Sequence, residues 1–182
     1  MVILVRTIAI GLLAGLLIGA GAPRDRVGPL FDRLKLAATE QQSESIETQI
    51  VLYWRSQITP AVQLLLEHAT KAVAQRDQAA AIQDLDAALD LQPDQADLWR
   101  LHAEARFANG DETGAFADIA QALSREPRCF PALEDLSRFA EARNQNKRAL
   151  DAWQSFLRIE PKAPHGEARL EALQRKVSGQ PL

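Results

Sequence analysis

The side chains best suited to metal chemistry in this sequence are two histidines, His68 and His102, which lie 34 residues apart. Each has a carboxylate close by in the sequence, Glu67 and Glu104 respectively. Zinc accepts both imidazole and carboxylate ligands, so a two-histidine site is conceivable. A partly buried histidine with a single hydrogen-bond partner is commoner, and it is the interpretation that we favour. We therefore expect no metal and no cofactor.

The other polar residues do not form a catalytic pattern. Asp84 and Asp86 are two residues apart on a predicted helix, so their side chains point in different directions. No serine lies in a nucleophile-elbow pattern, and no glycine-rich loop could hold a phosphate. The 21 basic and 24 acidic residues leave a net charge of −3, without the basic surface that nucleic acid requires. The sequence indicates neither an enzyme nor a nucleic-acid-binding protein.

The elements that would position these side chains recur at a fixed interval of 34 residues. Three prolines and three alanines keep this interval; they are Pro93, Pro127 and Pro161, and Ala81, Ala115 and Ala149. A period of this length is typical of paired antiparallel helices that stack on copies of themselves. The repeat predicts three units over residues 62–95, 96–129 and 130–163.

The units share a pattern of large and small residues. The fourth and twenty-fourth positions are large and apolar: Leu65, Trp99 and Leu133, and Leu85, Ile119 and Trp153. The eighth position is small: Ala69, Ala103 and Ser137. Small residues allow two helices to approach closely, and large neighbours then fill the space beside the contact.

This pattern resembles the tetratricopeptide repeat (TPR). The middle unit carries the matching residues Trp99, Ala103, Ala115, Ile119 and Pro127, whereas His102 and Arg106 depart from the pattern. The resemblance implies an all-α, right-handed solenoid of antiparallel helix pairs with three clear repeats.

The segments on either side of the three units have weaker patterns. Residues 28–61 read as a degenerate helical pair, which is either a repeat with altered packing or an N-terminal cap. Its second half carries an apolar stripe of Ile46, Ile50, Tyr53 and Trp54. Residues 164–178 predict a capping helix, with Leu170, Leu173 and Val177 on its apolar face.

The first 22 residues have the composition of a secretory signal peptide. Arg6 is their only charge, and small residues from Gly19 to Ala22 precede Pro23. The alternative is an uncleaved anchor, because Gly11, Gly15 and Gly19 form a ridge that could pair helices in a membrane. The leader predicts an exported, periplasmic protein of the bacterial cell envelope, or one held at the inner membrane by residues 1–22.

The TPR resemblance also implies a binding groove, formed by four positions of each first helix. By register these are Gln63, Leu66, Thr70 and Val73; Asp97, Arg100, Glu104 and Phe107; and Pro131, Glu134, Arg138 and Glu141. Leu66, Val73 and Phe107 could hold an apolar side chain of a partner, and Arg100 and Arg138 could pair with its carboxylates.

The groove charges have a second interpretation, in which they form a solvated helix face. Arg100 would then pair with Glu104, and Glu134 with Arg138, each four residues apart. The Lys/Asn set with which related domains grip acidic chaperone tails is absent.

We expect an exported adaptor that binds a protein or peptide and acts as a monomer without catalysis. The alternative is a membrane-anchored assembly factor or chaperone-like protein of the cell envelope, of the cytochrome-maturation type. Cys129 is the only cysteine, so it cannot form an internal disulfide. It is either buried or free for an intermolecular bond, and we favour burial because Phe130 follows it.

Overall fold

The computed structural model describes residues 27–179, and this part of the chain contains nine α-helices and no strand. The helices are α1 Gly28–Lys35, α2 Glu40–Ser56, α3 Pro60–Ala74, α4 Gln78–Leu91, α5 Ala96–Ala108, α6 Glu112–Arg125, α7 Phe130–Ala142, α8 Asn146–Ile159 and α9 Gly166–Ser178. The all-α fold is as predicted. The leader expected at residues 1–22 lies outside the described residues, within which no helix has the length and apolarity to span a bilayer.

Three helix pairs form the body of the fold: α3–α4, α5–α6 and α7–α8. Each pair falls within one of the 34-residue units, except that α3 begins two residues before the first unit, at Pro60. Successive pairs pack through α4 on α5 and α6 on α7. The repeat prolines Pro93, Pro127 and Pro161 lie in the turns that follow the second helices. A proline there cannot continue the preceding helix, because it lacks a backbone N–H group.

Small residues lie at the contact between the two helices of each pair. Ala81, Ala115 and Ala149 are all fully buried, with no exposed surface. Their counterparts on the first helices are Ala69, Ala103 and Ser137, which are also buried. A larger side chain at these places would push the helices apart. The small-residue contact predicted from the sequence is therefore present in all three repeats.

The turn inside each pair has the same backbone conformation. Arg76, Gly110 and Asn144 occur one per repeat, and each has a left-handed φ, of 62°, 86° and 57° respectively. In each turn the next residue donates its backbone N–H to a carbonyl five residues back, at 2.9 Å. This bond satisfies a carbonyl that would otherwise be free at the end of the first helix.

The N-terminal pair α1–α2 packs on the last repeat. Helix α1 contacts α8, and the Phe31 and Trp54 rings lie 6.5 Å and 5.6 Å from the ring of Phe130. Near the start of α2, the Ser43 hydroxyl donates to the Glu160 carboxyl group at 3.0 Å. Buried residues of the pair share one core cluster with the third repeat and α9: Leu34, Ile46 and Ile50 with Trp153, Phe156 and Leu173.

Residues 28–61 thus contain a helical pair whose packing differs from that of the three repeats, because it lies on the third repeat and α9. Helix α1 has 8 residues, against 15 in α3 and 13 in α5. Glu47 also occupies the position at which the three repeats have a buried alanine. A short helix and a charge at the contact position prevent repeat-like packing, so the apolar stripe of α2 is buried elsewhere.

Helix α9 covers the other side of the third repeat. Leu173 is buried, and the Trp153 indole donates to the Gly166 carbonyl at 3.0 Å. Val177, which we expected on the apolar face, remains 44% exposed. The apolar contact of the capping helix thus ends about one turn before the helix does.

We predict that Ala115→Leu destabilises the fold by about 1–3 kcal/mol, because the added carbons have no space between α5 and α6. Ala117→Leu on the same helix is the matched control, since residue 117 is exposed. Urea denaturation followed by circular dichroism measures both variants. Equal stability of the two would contradict the role of the small residue.

Candidate binding groove

The first helices α3, α5 and α7 enclose an apolar cavity of about 330 Å³. Six of the residues assigned to the groove by register line it: Leu66, Thr70, Val73, Glu104, Phe107 and Arg138. Apolar residues outside that assignment complete the wall, among them Leu85, Leu101 and Phe139. The deeper wall residues were not assigned to the groove, and Leu85 is one of the large residues at the twenty-fourth position of the repeat.

Two stacked phenylalanines form one wall of this cavity. The rings of Phe107 and Phe139 are 4.1 Å apart and almost parallel, at 4°. Phe139 is buried, whereas Phe107 is only half-buried. The face of an aromatic ring attached to a rigid core offers apolar contact at little entropic cost. Phe107 is thus already positioned to receive an apolar side chain.

The charged residues of the groove form one connected network. Arg100 contacts Asp97 at 2.6 Å, Glu104 at 2.9 Å and Asp135 at 3.2 Å. Arg138 contacts Glu104 at 2.8 Å and Asp135 at 2.7 Å. The solvated-face interpretation pairs Arg100 with Glu104 and Arg138 with Glu134. The first ion pair is present, whereas Arg138 binds Glu104 and Asp135 instead of Glu134. We had not assigned Asp135 to the site, because nothing in the repeat pattern distinguishes it.

The protonation of this network follows from its geometry. Burial opposes the charge of Arg100, but Asp97, Glu104 and Asp135 outweigh it, so its pKa lies above the usual arginine value. Burial raises the pKa of Asp135, as does the nearby Glu104, while Arg100 and Arg138 lower it. Both guanidinium groups are therefore charged and already bound by carboxylates of the protein.

A second part of the groove adjoins the cavity. Leu66 and Thr70 line both parts, and Asp97 and Arg100 line the second. Arg55 and Ile58, at the end of α2 and just after it, complete this rim. We had not assigned these two residues, because their contribution depends on how the N-terminal pair packs.

Three assigned groove residues of α7, Pro131, Glu134 and Glu141, do not line the cavity. Glu141 binds α9 through Arg169 at 3.1 Å and through Lys176. Glu134 is exposed and interacts electrostatically with Glu47 of α2. Helix α9 thus covers the end of α7 beyond Arg138, and the accessible cavity is lined mainly by residues of repeats 1 and 2.

The two histidines of the sequence are in different environments. His68 is exposed. His102 is buried between two carboxylates, with Nε2 3.2 Å from Asp86 and Nδ1 3.0 Å from Asp118. Within residues 27–179, no group of three or more ligating side chains could hold a metal ion. His102 therefore connects α5 to α4 and α6 as part of the helix packing.

A relative with an assigned family shares most of this chain. A TPR repeat-containing protein of Rhizobium etli is 30% identical over 160 residues, which cover 88% of this chain and 78% of the relative. This chain belongs to the TPR family. No family model matches it.

Solved TPR structures are similar to this chain in fold. The Sgt2 TPR domain of Aspergillus fumigatus has a TM-score of 0.61 at 23% identity, covering 68% of this chain and 87% of that one. The first TPR of Spaghetti (RPAP3), bound to an HSP90 peptide, has a TM-score of 0.60 at 19% identity. The match covers 65% of this chain and 96% of that one. The first TPR domain of human RPAP3 has a TM-score of 0.60 at 18% identity, and the match covers 65% of this chain and 94% of that one.

The buried cysteine of this TPR chain lies between repeats. Cys129 has no exposed surface, and burial raises the pKa of its thiol to about 12. A protonated, inaccessible thiol does not form intermolecular disulfides readily. The structure therefore supports the buried interpretation.

The TPR repeats meet the N-terminal pair at a buried carboxylate. Glu160 is 1% exposed, and its pKa is raised to about 7. Burial is the main cause and Glu47, Glu134 and Glu44 add to it, while the hydrogen bond from Ser43 opposes it. The folded protein therefore holds this proton up to a higher pH than the unfolded chain does.

We predict that Glu160 lowers the stability of this chain by about 3 kcal/mol as the pH rises from about 4.5 to about 7. Over this range the unfolded chain has released the Glu160 proton while the folded chain still binds it, so each increase in pH favours unfolding. Urea denaturation at about pH 5 and about pH 8 measures the effect.

The Glu160→Gln variant should lose most of this pH dependence, because glutamine stays neutral and can still accept from Ser43. Glu167→Gln, at an exposed position of α9, is the control and should behave as the unchanged protein. An unaltered pH profile in Glu160→Gln would exclude Glu160 as the cause.

Proposed function

We propose that this chain is a non-catalytic adaptor that binds a peptide or a protein segment in the groove formed by α3, α5 and α7. The observation that carries the proposal is the apolar cavity beside Phe107, which register-matched residues of successive repeats line together. The similarity to the Spaghetti TPR, whose structure holds an HSP90 peptide, supports the use of this fold for peptide binding.

The geometry of the cavity fits a side chain that projects from an extended segment. Its wall is apolar, and its rim carries the charged residues Glu104 and Arg138. An apolar pocket with a polar rim supplies burial energy from the pocket and orientation from the rim. The second part, beside Asp97 and Arg100, extends the same surface, so a segment several residues long can lie along it.

We predict that Val73→Asp abolishes partner binding. Val73 is 47% exposed and lines the cavity, so a carboxylate there would have to be desolvated when an apolar side chain enters. Leu91→Asp is the matched control, because Leu91 is an exposed apolar residue at the end of α4 and does not line the cavity.

The measurement is pull-down from the native cell fraction with each variant, with circular dichroism to check folding. Retention of the same partners by folded Val73→Asp would exclude the cavity as the binding site.

We further propose that the adaptor is exported and works in the periplasm. The support is the sequence of residues 1–22, with one arginine, an apolar stretch and small residues before Pro23. The alternative function, a membrane-anchored assembly factor, requires that these residues stay attached.

Intact-mass measurement of protein from its native compartment distinguishes the two. Loss of about 20 residues, the usual length of a signal peptide, is the expected result and would exclude the anchored form. A full-length mass in the membrane fraction would instead favour the assembly factor.

A further inference from the structure

We propose that the segment bound by the cavity carries a lysine or arginine next to its apolar side chain, and that acidic segments are rejected. This inference rests on the proposed function and specifies the chemistry of the partner. The partner is a basic-apolar segment of another protein, recognised by the cavity between repeats 1 and 2.

The first reason is that the groove arginines are already paired with carboxylates of the protein. The Arg100 side chain is 16% exposed and contacts three carboxylates, and the Arg138 side chain, which is 55% exposed, contacts two of the same three. Three carboxylates against two guanidinium groups leave the network with a net charge of −1. A partner carboxylate would therefore meet excess negative charge, whereas an ammonium or guanidinium group would complete the balance.

The second reason is that accessible hydrogen-bond acceptors line the cavity beside Arg138. Glu104 lines the cavity, and its side chain is 38% exposed, so its carboxylate is accessible from the rim. The exposed Thr70 hydroxyl donates its hydrogen to the Leu66 carbonyl, which leaves it as an acceptor. Basic side chains and backbone amides of a partner can donate to both groups.

The third reason is that the adjoining part of the groove does not reverse this charge. Arg55 lies at its rim, but Glu67 lines the same part. These two opposite charges cancel, so the net charge of the groove equals the −1 of the ion-pair network. Glu134 lies exposed on α7, one turn before Arg138, and adds further negative potential toward the third repeat.

The consequence is a preference opposite to the one suggested by the peptide in the Spaghetti structure. That peptide, SRMEEVD, ends in acidic residues. In this chain the two arginines of the groove are held by Asp97, Glu104 and Asp135. The fold is shared with that domain, but the charge of the groove differs.

The test is selection from a random peptide display library on the full-length chain. A parallel selection on Val73→Asp identifies peptides that bind outside the cavity, and those are discarded. We expect the remaining peptides to combine a large apolar residue with an adjacent Lys or Arg, and to be depleted in Asp and Glu.

Each outcome decides between the inference and the function on which it rests. Enrichment of acidic or uncharged peptides that depend on Val73 would overturn the basic preference and leave the adaptor function standing. If no peptide distinguishes the unchanged chain from Val73→Asp, both the cavity as a binding site and the inference fail.

A second measurement uses one selected peptide and a copy in which its basic residue is replaced by glutamate. Fluorescence anisotropy should show weaker binding of the glutamate copy, and higher salt should narrow the difference. In Glu104→Gln the network loses one negative charge, so the ratio of the dissociation constants of the glutamate copy and the basic peptide should fall roughly threefold. Glu171→Gln, an exposed residue of α9, is the control and should leave this ratio unchanged. An unchanged ratio in Glu104→Gln would contradict the assigned role of this carboxylate.

Discussion

The close contact between two helices at a buried alanine determines the rest of this structure. Ala81, Ala115 and Ala149 let the second helix of each pair lie directly against the first, which orients the first helices with their polar positions toward one face. The cavity between repeats 1 and 2 forms because that orientation recurs. A wider contact in one pair would displace Phe107 relative to Phe139, and with it the wall of the cavity.

The repeats and the face of the groove could be predicted from the sequence because both depend on local periodicity. Each unit repeats the same large and small residues, and neighbouring units contact each other in order along the chain. The position of α1–α2 could not be predicted in this way. It depends on shape complementarity between an irregular aromatic surface, with Phe31 and Trp54, and Phe130 of a distant repeat.

The charged residues of the groove were also only partly predictable from the sequence. Register placed Arg100 and Arg138 on the binding face, but their partners depend on side-chain conformations across two helices. Asp135 is the deciding residue: it is buried beneath both arginines, although the repeat pattern gives its position no special role. The sequence pattern therefore placed these arginines on one face of the first helices and left their ion-pair partners undetermined.

The contact between Ser43 and Glu160 joins residues that are 117 positions apart in the chain. In an ordinary array of repeats each unit touches only its neighbours, so evolution can add or delete units without disturbing the others. Here the N-terminal pair reaches the last repeat, and inserting one more unit would carry Glu160 beyond its partner. The N-terminal pair and the last repeat are therefore expected to unfold together as one cooperative body.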